Sequence, residues 1–153
     1  MLDKFDLAIL DELQRDGRLT NAELAARVGL SAAPCWRRVR ALEEAGYILG
    51  YRADINRQKV GLDVLAFVRL DAERNRGDVT RELEEAIRQI PEVVSCHYIS
   101  GTGTFELQVV CKDLNSFSEF ARNVLLNLPN VKDLQTSFSL GEVKASGVLP
   151  LPG

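Results

Sequence analysis

Three arginines in one short run carry the strongest chemistry in the chain: Arg37, Arg38 and Arg40, within SAAPCWRRVRALEE. A guanidinium presents N–H donors in a planar fork that fits the acceptors on a guanine edge or the oxygens of a phosphate. Just ahead stand Ser31, Ala32 and Ala33, small enough to let a backbone approach a partner closely. Arg52 is a further candidate for a phosphate and equally an ordinary surface arginine. These seven residues are the candidate contacts to DNA. Other chemistry is thin. His97 is the only histidine, and a lone histidine in a strand-like run reads as a structural group. Cys35, Cys96 and Cys111 are odd in number and form no CxxC or His/Cys cluster, so the expectation is reduced thiols, no metal and no cofactor.

Arginines can read a groove only if an element presents them. Thr20 precedes a helical run and Glu23 follows three residues later, the pattern of a capping box. Ala22, Leu24, Ala25 and Val28 supply the apolar side, and Gly29 stands where a helix end tolerates positive φ. Leu30 plugs the corner, Ser31 is the expected N-cap of the next helix, and Pro34 sits in its first turn, where no N–H is missed. Along that second helix Cys35, Val39 and Leu42 fall at i, i+4 and i+7 and should face a core. The arginines fall largely on the other side, with Arg38 at the boundary. The same helix alone would fit a solvated surface. The capped helix before it, the glycine turn and the small residues select a helix-turn-helix, whose second helix lies in the major groove. Trp36 is expected to pack in the interhelical groove.

An earlier helix is predicted from about Asp3 to Arg15, ended by Gly17, and residues 47–54 read as a short extended, wing-like segment. Residues 55–63 look like a linker. The predicted domains are therefore 1–54 and 64–153. In the second, strand-like runs at 64–70, 93–100, 104–111 and 131–140 alternate with helical stripes at Val79, Leu83, Ala86, Ile87, Ile90 and at Phe117, Phe120, Ala121, Val124, Leu125, Leu128. Residues 143–149 read as one more extended piece. The fold class is α+β: a winged helix-turn-helix followed by a ferredoxin-like βαββαβ domain. Val68, Tyr98, Val110 and Phe138 suggest a second apolar face on the sheet, to be buried in a homodimer.

The run from Leu2 to Tyr51 resembles the N-terminal domain of the Lrp/AsnC regulators. Matching pieces are Leu2-Asp3 with Asp6 and Ile9-Leu10, then Leu13, Asp16-Gly17-Arg18, the VGLS turn, Pro34-Cys35, Arg38-Val39, Leu42-Glu43, Gly46-Tyr47-Ile48 and Gly50-Tyr51. The resemblance continues to about Lys144. It implies a transcription regulator, a dimer that assembles further into an octamer, palindromic double-stranded DNA as partner and a small effector, often an amino acid. In the family a Gly-x-x-Asp-Tyr/Phe loop follows the second strand near the effector pocket. Here Gly101 and Phe105 match, while Thr104 holds the acidic position, with Thr102 between them. A threonine offers an α-ammonium only a neutral hydrogen bond, where a carboxylate offers a charge-assisted one. Thr136 and Ser137 lie where the family's pocket has contacts. A plain hairpin turn accounts for the same glycines. Sirohaem decarboxylases are similar to these regulators in both domains, but their anionic tetrapyrrole asks for several histidines, so no enzyme is expected. An assembly module without DNA binding is opposed by the arginine-rich face.

Composition agrees. Hydrophobic content of 46% and charged content of 27% describe a globular chain, no apolar run is long enough to span a membrane, and MLDKFD is no signal peptide, so a cytoplasmic location is expected. Net charge is −3, yet residues 31–60 hold 6 basic and 3 acidic groups. The basic excess sits on and just after the arginine helix, and dimerisation would double it.

Overall fold

The computed structural model describes residues 1–73, 77–100 and 104–153, with the backbone alone at Asp78 and Val79. The chain divides into two compact units: residues 1–54 joined by 143–153, and residues 55–142.

The first unit holds α1 (Lys4–Arg15), α2 (Asn21–Val28) and α3 (Ala32–Glu44). Asp3 starts α1 with a full capping box: it accepts from Asp6 N–H at 2.9 Å, and Asp6 accepts from Asp3 N–H at 3.1 Å. At α2 only half the expected box forms. Thr20 Oγ1 accepts from Glu23 N–H at 3.1 Å, but Glu23 takes the Thr20 hydroxyl proton rather than its backbone N–H. Gly29 ends α2 at φ 76°, and Leu30 N–H then donates to Ala25 C=O at 2.9 Å. Ser31 is the N-cap residue of α3 but makes no capping bond through its side chain. The core closes on Ile9, Leu24, Ala25, Cys35 and Leu42, with Val39 and Ile48 packed against it. Burial pushes the Cys35 thiol pKa up, as suits a small core residue.

Two expectations change at the ends of this unit. Residues 49–54 form no strand, so the wing is an unpaired segment. Its Tyr51 lies close to Gly17, where a Cβ would sit 3.4 Å from the ring. Residues 143–149 form no strand either, and the expected second domain does not extend to 153: residues 143–153 join the first unit. Gln14 grips them, its Nε2 donating to Leu149 C=O at 2.9 Å while its Oε1 accepts from Leu149 N–H at 2.8 Å. The expected linker, 55–63, groups with the second unit and is a hydrogen-bonded turn, with Lys59 N–H donating to Asn56 Oδ1 and Arg57 to Leu62 C=O.

The second unit runs β1 (Val64–Ala72), α4 (Gly77–Arg88), β2 (Val93–Ile99), β3 (Thr104–Cys111), α5 (Leu114–Asn123), a 3-10 turn (Leu125–Asn127) and β4 (Val131–Phe138). The sheet order is β2-β3-β1-β4, antiparallel throughout. This is the expected ferredoxin-like arrangement. Alternate residues Ala66, Val68, Leu70 and Ala72 of β1 and Phe105, Leu107, Val109 and Cys111 of β3 face Leu83, Ile87, Phe117, Phe120 and Leu125 in one core. The α5 stripe was expected to remain one helix to Leu128. Instead α5 stops at Asn123 and a 3-10 turn follows, because Pro129 drives Leu128 to an extended ψ of 145° and the last turn tightens before it.

The expected second apolar face is corrected by the register. Val68, Tyr98 and Phe138 lie on the helix-covered face: Val68 is fully buried, Tyr98 stacks on Phe105 at 5.0 Å, and Phe138 meets Phe117 edge-on at 5.1 Å. The opposite face carries Phe67, exposed, with Val110 and Leu65, which pair directly, and the cross-strand ion pair of Arg69 and Glu106 at 3.0 Å. Among the described residues no helix is long and apolar enough to cross a membrane. Leu70 is fully buried between β3 and β4, so Leu70→Ala should cost about 2–5 kcal/mol. A urea titration followed by circular dichroism should show a lower midpoint for this unit.

Candidate nucleic-acid interface

Helix α3 is positioned at its start and in its middle. At its start, Asn21 Nδ2 on α2 donates to Ala32 C=O at 2.8 Å, joining the two helices of the turn. In its middle, Arg38 reaches α1. Its Nη1 donates to Asp3 Oδ2 at 2.8 Å and to Asp6 Oδ1 at 3.0 Å, and its guanidinium lies 5.3 Å from the Phe5 ring centre. The pair is mutual. Asp3 is held below the ordinary carboxyl value, chiefly by the Asp6 N–H and then by Arg38. The hydrogen bonds that Arg38 donates to Asp3 and then to Asp6 push its own pKa up. Arg38 was expected beside Arg37 and Arg40 as a DNA contact. The structure shows it in an intramolecular contact with α1, with 33% of its side chain still exposed.

What remains outward is a continuous strip. Ser31, Ala32, Ala33, Trp36, Arg37, Arg40 and Ala41 are exposed. Among the described residues Arg37 makes no ion pair. Arg40 makes a loose one with Glu44, 3.7 Å apart on the same helix, and lies 5.6 Å above the Trp36 ring. Exposed pairs of this kind contribute little and open easily. Trp36 was expected to pack inward. It is 55% exposed, because the i, i+4, i+7 stripe already fills the core side with Cys35, Val39 and Leu42. Arg52 is exposed on the unpaired segment after the helices. The strip runs from small residues at the helix start to cations one to two turns on. That arrangement brings a backbone close to base edges and gives it donors for bases and phosphates.

The candidate effector residues in the second unit do not all converge. Gly101 and Thr102 lie outside the described residues. Phe105 is buried on the helix-covered face with Thr136, which pairs with Val68. Thr104 and Ser137 belong to the opposite parity of their strands, and Thr104 is nonetheless buried. The register supplies something the sequence concealed. Thr104 pairs with Asp71 of β1, and Asp71 pairs with Asp133 of β4. Carboxylates therefore lie on the row of the threonine that replaces one.

The two units match two family models. Residues 2–48 match winged helix-turn-helix DNA-binding, and residues 65–149 match the Lrp/AsnC ligand-binding domain. The leucine-responsive regulatory protein of Escherichia coli strain K12 is 39% identical over 148 residues, covering 97% of this chain and 90% of that one. A transcriptional regulator of Neisseria meningitidis, solved as its L-Met complex, is 41% identical with a TM-score of 0.93, covering 98% of this chain and 97% of that one. An AsnC-family transcriptional regulator of Agrobacterium tumefaciens is 32% identical with a TM-score of 0.91, covering 97% of each.

The lowered Asp3 pKa has a consequence for acid stability. A carboxylate lowered on folding stabilises the fold at pH above its unfolded value, ordinarily 3.8, and that contribution is lost as pH falls through the lower folded value. Thermal melts from neutral pH downward should show wild type more stable than Asp3→Ala, with the gap narrowing below about pH 4. A gap unchanged down to pH 2.5 would assign the effect to something other than this charge.

Proposed function

The chain belongs to the Lrp/AsnC family of transcriptional regulators, and from that premise we propose that it reads a palindromic operator through α3 as a dimer and answers to an amino acid. The observation that carries the reading is the exposed strip of Ser31, Ala32, Ala33, Arg37 and Arg40 on a helix braced at its start and middle. Arg37 and Arg40 are the base and phosphate contacts, the small residues admit the helix start to the groove, and Arg52 adds a phosphate. Arg38 serves by positioning. The chain is a regulator and not an enzyme, as its relatives are.

Dimerisation through the open sheet face suits Phe67, Leu65 and Val110, an apolar patch that a second copy would cover. Two recognition helices related by a two-fold axis match a two-fold operator. Assembly of such dimers into an octamer follows the family resemblance. For the effector, the row of Thr104, Asp71 and Asp133 supports an amino acid. Asp71 is the carboxylate that would take the α-ammonium where Thr104 cannot.

The DNA reading is tested by selecting bound sequences from a randomised duplex pool. A palindromic consensus is expected. Arg37→Ala should then lose about 1–3 kcal/mol on the selected site and relax one position in each half, if Arg37 reads a guanine. Arg38→Ala, which removes a positioning contact and no base contact, should instead weaken binding to all sites alike while leaving the preferred bases unchanged. A consensus altered by Arg38→Ala, or none at all, would sink the assignment.

The effector reading is tested by a thermal-shift scan with the twenty amino acids. A ligand at 100 times its Kd adds about 2.7 kcal/mol of stability, and Asp71→Asn should abolish that shift. Shifts that survive Asp71→Asn would remove Asp71 from the pocket.

A further inference from the structure

We propose that residues 143–153 form a strap that steadies the recognition helix through α1. This rests on the reading of α3 as the DNA-reading helix, although the hold on α3 is measurable without DNA.

The sheet's last ladder bond is Ser139 N–H to Leu65 C=O, at 2.9 Å. From Val143 onward the chain belongs to the DNA-binding unit. There a single side chain grips Leu149 by both its backbone groups, Gln14 donating to the carbonyl at 2.9 Å and accepting from the N–H at 2.8 Å. A primary amide is suited to this because it offers a donor and an acceptor side by side. The end of the chain meets the same helix: a Cβ on Gly153 would lie 3.8 Å from Leu7 Cδ1. Leu7 and Gln14 are seven residues apart, two turns of helix, so the strap lies along one face of α1. The N-terminal end of α1 carries Asp3 and Asp6, the two carboxylates that hold Arg38. A continuous set of contacts therefore runs from the strap to α1, and from α1 through Arg38 to α3.

The strap is releasable, since both Gln14 bonds are solvent-exposed and Leu149 is 68% exposed. Exposed hydrogen bonds exchange readily with water and contribute little net stability. An element held this way can switch between bound and free without unfolding either core.

The test uses the full chain, a Gln14→Met variant and a chain ending at Glu142. Methionine keeps the length and apolar stem of glutamine but cannot donate, and accepts only weakly. Gln14 is half-buried on a helix surface, so the variant should fold, and circular dichroism checks this. Amide hydrogen exchange is followed in residues 4–15 and 32–44 without DNA, and affinity is then measured for the duplex selected by wild type. Both variants should exchange roughly tenfold faster in α1 and in α3, leave the sheet unchanged, and bind the duplex several-fold more weakly. Unchanged exchange in α1 would make the strap a passive appendage. Faster exchange in α1 with α3 unchanged would cut the proposed route at Arg38. If wild type selects no duplex, the DNA reading of α3 fails, and exchange in α3 still decides whether the strap steadies that helix.

Discussion

The recognition surface depends on one guanidinium. On an α-helix each residue turns about 100° from the last, so fixing one side chain inward fixes where its neighbours point. Arg38 is fixed inward by Asp3 and Asp6. Together with the buried stripe of Cys35, Val39 and Leu42, this leaves Arg37 and Arg40 on the outward side, with Ala33 in line before them. The two carboxylates also form the capping box of α1, satisfying N–H groups that would otherwise lack partners at a helix start. One small cluster therefore begins α1, joins it to α3 and sets the rotation of α3. Its solvent exposure keeps its energetic weight modest, as for any surface ion pair. Its value lies in orientation, which no amount of nonspecific apolar packing around Cys35 and Leu42 would supply as sharply.

The second unit is governed by parity. Successive strand residues face opposite sides, so the pairing register decides every question about its two faces. Register sends Phe105 and Thr136 toward the helices, gives Thr104 and Ser137 the other parity, and aligns Thr104 with Asp71. The replacement of the family's acidic residue by threonine looks like a loss of chemistry along the chain. Across the sheet it stands beside a carboxylate. The open face combines Phe67 and Val110 with the Arg69–Glu106 pair, an apolar patch bordered by a charged one.

Much of this was legible in the residues. The helix-turn-helix could be read because its determinants are local: a capping threonine, a glycine at φ 76° and an apolar stripe at helical spacing. The four strands and two helices of the second unit were legible for the same reason, periods of two and 3.6 being properties of the chain itself. Where reading failed, the cause was a contact distant in sequence. Arg38 looked like its neighbours until the carboxylates of α1, some thirty residues earlier, claimed it. The piece at 143–149 reads as extended, but that Gln14, 135 residues from Leu149, holds it could not be read along the chain. The shortened α5 shows a local signal that was present but outweighed, since Pro129 acts on the residue before it while the apolar stripe continued past.

By itself, then, the sequence determined the elements, the two cores and the family, because helix capping, turn chemistry and hydrophobic periodicity act over a few residues. The tertiary structure alone decided which arginine pairs with the carboxylates of α1 and which stay exposed, which face of the sheet stays open, which carboxylate neighbours Thr104, and where the end of the chain is anchored. Each of those depends on groups far apart along the chain meeting in space. The energy of such a meeting comes from directional hydrogen bonds and charge pairs rather than from pattern. Many side chains of the right type were available to Arg38 and Gln14, and only the packed helices selected among them.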